Sequence, residues 1–115
     1  MHEMSYVAGI VNTVLDALET RETEVLRVTV ECGGMTGVVP DYLIKYYGTA
    51  TKDTLLEGSE LVVRVVPVSA ECEECGSTFS PDRASDYRCP KCGSYRAKIL
   101  SGREFNVVNM EILPR

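Results

Sequence analysis

Four cysteines constrain this chain more than any other feature. Cys72, Cys75, Cys89 and Cys92 form two pairs, C-E-E-C-G and C-P-K-C-G, with 13 residues between the pairs. Each C-x-x-C marks a tight turn that aims two sulfurs at one point. Each is followed by a glycine, Gly76 or Gly93, which can adopt φ > 0 where a side chain would clash. Two such turns close a tetrahedral S4 cage with no open position, the geometry of structural Zn²⁺. A thioredoxin-like dithiol would need only one pair and its own βαβ context. Iron in a rubredoxin-like site is the chemical competitor, because the same cage accepts it. The fifth cysteine, Cys32, alternates with Val28 and Val30 and reads as a small buried hydrophobe.

The cage residues stand in a polar stretch with few large aliphatic side chains, too short to bury a core of its own. Metal must hold it, so residues 69–101 read as a zinc-ribbon domain whose folding is coupled to Zn²⁺. Outside it, Met4, Val7, Val11, Val14, Leu15 and Leu18 recur at helical spacing, with Glu3, Asn12, Asp16 and Glu19 mostly on the other side. Leu26, Val28, Val30 and Cys32 alternate with Arg27, Thr29 and Glu31 as in a strand, closed by Gly33-Gly34. Pro40-Asp41 suits the first turn of a second helix, with Leu43, Ile44, Tyr47 and Ala50 as its apolar side. Strands follow at 61–66 and 104–112. The expected fold is α+β, a small three-stranded sheet with two helices, residues 1–68 and 102–115, interrupted by the ribbon. Chain near 66–70 and 100–103 would serve as the hinges of the insertion.

Composition narrows the partners. The chain has 115 residues, a formal charge of −5 and a pI near 4.9, with Lys and Arg scattered singly. Four thiolates and one Zn²⁺ would make the charge about −7. Nucleic acid and anionic membranes both call for basic patches, so neither is an expected partner. A zinc-ribbon module that docks on protein or nucleic acid is the alternative class, and the charge weighs against its nucleic-acid form. No apolar run approaches the ~20 residues of a membrane span. The N-terminus lacks the basic region of a signal peptide, and the chain reads as cytoplasmic, with its cysteines as thiols. No nucleophile, general base or phosphate loop can be assembled, so the chain does not read as an enzyme.

The only histidine is His2. At the second position, its imidazole, its own amide nitrogen and the α-amine of Met1 can chelate one metal in linked small rings. The amide of Glu3 offers a fourth nitrogen. A near-planar nitrogen set favours Ni(II) or Cu(II), whereas Zn²⁺ prefers a tetrahedron. The bulky second residue favours retention of the initiator Met. Such a site needs a neutral imidazole, so mild acid weakens it, which suits a carrier that must release its metal.

Met1-His2-Glu3-Met4-Ser5 resembles the opening of the HypA (HybF) hydrogenase nickel-incorporation proteins. The likeness continues through Thr36-Gly37-Val38-Val39-Pro40, the two C-x-x-C pairs and Ser101-Gly102-Arg103-Glu104, covering essentially the whole chain in order. It implies a nickel metallochaperone that loads Ni²⁺ into [NiFe]-hydrogenase and, in some organisms, urease. On that resemblance His2 is the nickel ligand, with the backbone nitrogens of Met1, His2 and Glu3. Glu3 is its neighbour, and Cys72, Cys75, Cys89 and Cys92 are the zinc ligands. Nickel is transient and zinc structural. The implied partners are a HypB-like nucleotide-hydrolysing nickel maturation protein and the hydrogenase large subunit. An apolar strand edge would support a homodimer. The chain departs from many relatives in carrying Gly34 where they have an acidic residue, and it has no second histidine.

Overall fold

A computed structural model describes residues 3–18 and 23–114. Met1 and His2, the centre of the expected nickel site, lie outside the described residues. The element order is α1 (Glu3–Ala17), β1 (Thr23–Gly33), α2 (Pro40–Ala50), β2 (Glu60–Val66), β3 (Ser69–Cys72), β4 (Thr78–Phe79), β5 (Ala97–Ser101) and β6 (Phe105–Pro114). The strands make two sheets, ordered β2-β1-β6 and β4-β3-β5. The fold is α+β, as expected. Among the described residues no helix is long and apolar enough to cross a membrane.

The chain divides into two compact units. The first takes 1–31, 37–64 and 105–115, and the second takes 32–36 and 65–104. The first unit is built on two amphipathic helices. Val7, Ile10 and Val14 of α1 are buried with Leu43 and Tyr47 of α2, and with Val28, Val30 and Leu61 of the sheet. Burying each such side chain contributes about 1.5–3 kcal/mol. The Tyr47 hydroxyl is not stranded in this core, because it lies 2.6 Å from Ser59 Oγ. Across the exposed side of the sheet, Arg27 of the central strand meets Glu60 of β2 at 2.6 Å and Glu111 of β6 at 2.9 Å.

Two details differ from the sequence reading. The buried stripe of α1 is Glu3, Val7, Ile10 and Val14, whereas Met4 is 52% exposed. The register is set at the first turn, where the Glu3 carboxylate finds an internal partner and takes the inward position that an apolar residue was expected to fill. Likewise Leu26 and Ile44 are exposed, while Val25 and Thr29 are buried.

In the second unit, β3 pairs antiparallel with β4 and β5. The partners are Ala70 with Phe79 and Ile99, and Cys72 with Ala97. The loop after β1 is woven into this unit by backbone bonds. Gly33 N donates to Glu104 O at 2.6 Å, Gly34 N to Val66 O at 2.9 Å and Met35 N to Gly102 O at 2.7 Å. The backbones pass so closely that a Cβ on Gly33 would strike the Gly102 carbonyl. Gly102 has φ 116, and a Cβ there would lie 2.8 Å from Val68 Cγ2. Both positions therefore require glycine.

Candidate metal centres

The two knuckles are near copies. In the first, Cys72 N donates to Ser77 O at 2.8 Å and Gly76 N to Cys72 O at 2.9 Å. In the second, Cys89 N donates to Ser94 O at 3.0 Å and Gly93 N to Cys89 O at 2.8 Å. Gly76 and Gly93 take φ of 76° and 79°, the left-handed turn that the sequence reading assigned to them. β3 delivers Cys72 to the first knuckle, and the pairing of β3 with β5 brings the second knuckle against it.

All four sulfurs lie within 4.8 Å of one another. Cys72 and Cys92 approach to 3.5 Å, and Cys75 and Cys89 to 3.6 Å. A tetrahedral ion with metal–sulfur bonds of 2.3 Å separates its sulfurs by about 3.8 Å, so these four can close on one ion with small adjustments. The first cysteine of each pair is buried and the second exposed. The cage is thus packed on its inner side and faces solvent on its outer side.

Without metal the thiols divide unequally. The hydroxyl and backbone of Ser77 hold Cys75 down at about 6. The Ser94 backbone pulls the Cys92 thiol down, but its contacts with Cys72, Cys75 and Cys89, together with burial, push it up to about 12. A divalent ion held by the four cysteines would remove this conflict by binding every sulfur as thiolate.

Cys32 stands apart from the cage. It is buried, with Sγ 3.3 Å from Thr36 Oγ1. Its packing role agrees with the alternating pattern that the sequence showed.

At the other expected centre, Glu3 is the first described residue. Its side chain is buried, and Oε2 accepts a hydrogen bond from Val39 N at 3.0 Å. Val39 is the N-cap of α2 and makes no side-chain cap of its own. The carboxylate therefore sits at the positive end of that helix. The Val39 N–H is the main cause that holds Glu3 below the ordinary carboxylate value, against the opposing effect of burial. Sequence reasoning placed Glu3 beside the nickel site and missed this anchoring contact, which spans 36 positions.

The whole chain can be compared with known proteins. Residues 1–112 match the family model described as "Hydrogenase/urease nickel incorporation, metallochaperone, hypA". The hydrogenase maturation factor HypA of Geobacter metallireducens is 41% identical over 112 residues, which covers 97% of this chain and 99% of the relative. That of Methanothermobacter thermautotrophicus is 39% identical over 119 residues, covering 97% of each chain. The solution structure of the Ni metallochaperone HypA from Helicobacter pylori shares the fold over 100% of both chains, with a TM-score of 0.68 and 23% identity. The extent and identity of these matches make the chain a member of the HypA family of hydrogenase and urease nickel-incorporation metallochaperones.

Proposed function

We propose that this protein carries Ni(II) at its N-terminus and hands it to the hydrogenase large subunit during maturation. The His2 imidazole and the backbone nitrogens of Met1, His2 and Glu3 hold the ion in this reading. The observation that carries it is the family match, which includes Met1-His2-Glu3. The Glu3 contact supports it too. With its carboxylate tied to Val39 N, Glu3 anchors the chain immediately after His2.

The donor set of the second centre fits Zn²⁺. Four sulfurs at these separations, with no carboxylate or imidazole among them, suit a soft tetrahedral ion. Cys72, Cys75, Cys89 and Cys92 hold it, and it supplies folding energy to a unit that has little apolar core. On this reading the first unit is the nickel-binding domain and the second the zinc domain. The protein carries metal and catalyses no reaction of its own, and it works in the cytoplasm. Its partners are a HypB-like nucleotide-hydrolysing protein and the hydrogenase large subunit. A second copy of the chain can pair along β6, an edge strand of ten residues without a lysine.

Placing one extra residue before Met1 tests the site directly. It displaces the amine from its chelate ring and should weaken nickel binding while leaving zinc content unchanged. Equal nickel affinity with and without the extension would remove the N-terminal amine from the site.

A further inference from the structure

Beside the metal cage, the second unit carries a groove of about 360 Å³, lined chiefly by Met35, Val68, Pro81, Tyr87, Tyr95 and Ile99. Its rim is unusually apolar for a surface: Met35 is 47% exposed, Tyr87 56% and Tyr95 67%. Tyr87 is presented at a conformational cost. Asp86 and Tyr87 adopt φ of 55° and 60°, left-handed values that a bulky side chain disfavours. The turn is pinned by Tyr87 N donating to Asp82 O at 2.8 Å, and by the Tyr95 hydroxyl donating to Asp86 Oδ2 at 2.8 Å.

Asp82 accepts from Ser85 N at 3.0 Å, and Asp86 accepts from the Tyr95 hydroxyl, so neither acid is spent on Arg88. The Arg88 guanidinium lies 5.1 Å from the centre of the Tyr95 ring. Among the described residues it has no carboxylate within ion-pair distance. A cation without an ion-pair partner among the described residues therefore stands over Tyr95 at the rim of the groove. Residues 65–104 carry six basic and six acidic side chains, so apart from the metal cage the −5 charge of the chain belongs to its other segments.

We infer that this groove docks an acidic segment of a partner protein. One large apolar side chain of the partner lies between Tyr87, Tyr95 and Met35, and a neighbouring carboxylate meets Arg88. Aromatic, methionine and arginine side chains are the types that anchor protein interfaces. The aliphatic floor and the single stacked cation suit a protein segment better than a nucleic-acid strand, which needs a basic track for its phosphates. The inference is independent of the nickel site.

The test is an amide-resonance titration of the full, zinc-loaded chain with three probes. They are the peptides acetyl-Asp-Phe-Leu-Asp-amide and acetyl-Lys-Phe-Leu-Lys-amide, and a ten-residue oligothymidine. The acidic peptide should give saturable shifts at Met35, Tyr87, Tyr95 and Ile99. The basic peptide should bind about tenfold more weakly, the loss of one charge-assisted contact. Arg88→Glu should reverse that order, and Tyr87→Ser should weaken both peptides, with zinc content showing that each variant is folded. Equal binding of the two peptides, shifts away from the groove, or tighter binding of the oligonucleotide would each overturn the inference.

Discussion

The carboxylate of Glu3 caps the helix that begins after Val39. Oε2 lies 3.0 Å from Val39 N, tying the first turn of α1 to the start of α2. His2 immediately precedes Glu3, so this contact lies one residue from the imidazole proposed for nickel.

Acid should loosen this contact. Glu3 is drawn below its ordinary value of 4.5 chiefly by Val39, and Glu104 is drawn down chiefly by Gly102 N, at 2.6 Å. The unfolded chain takes up these protons near 4.5, before the folded chain does. Their stabilisation is therefore complete above that pH and is lost as pH falls through the lower folded values. The helical signal in thermal melts should drop more steeply below pH 4.5 for the parent than for Glu3→Gln. Parallel pH profiles would show that the contact is absent in solution.

Loss of one cage ligand should be felt in one unit only. Cys89→Ser should reduce bound zinc from one equivalent toward none, because structural zinc contributes about 10–16 kcal/mol when all its ligands are present. The amide resonances of β3, β4 and β5 should collapse, while both helices, which lie in the other unit, keep their circular dichroism. A strong chelator should reproduce this pattern in the parent. Full helix loss would instead show that the first unit depends on the metal.

Two glycine-to-alanine changes should act in opposite directions. Gly102→Ala places a Cβ 2.8 Å from Val68 Cγ2 at a φ of 116°, and should cost about 1–3 kcal/mol. Gly9→Ala, in α1 with nothing near its Cβ, should instead stabilise by about 0.5–1 kcal/mol. Chemical denaturation followed separately for each unit would measure both changes. A neutral Gly102→Ala would contradict the close backbone crossing.

Much of this architecture is legible in the sequence for physical reasons. The cage follows from the spacing of Cys72, Cys75, Cys89 and Cys92, since each C-x-x-C turn is local and its glycine supplies the left-handed residue. Both helices follow from their apolar period, and α2 starts at Pro40 as that residue's fixed φ favours. What escapes is non-local. β4 has two residues and β3 four, too short to show alternation, and they exist by pairing with each other and with β5. The inward Glu3 defeats a reading that sends charge to solvent, because its partner is a backbone N–H far along the chain. The segment from Cys32 to Thr36, the end of β1 and the turn after it, joins the second unit through backbone bonds, which leave no mark on side-chain pattern.

The most direct test of the nickel reading is isothermal titration of Ni²⁺ into zinc-loaded parent and His2→Ala proteins, with zinc content checked before and after. The parent should bind one equivalent of nickel. His2→Ala should lose that binding while keeping its zinc, because the proposed site has no other imidazole to draw on. Nickel affinity unchanged by the substitution would contradict the proposal that His2 carries the metal.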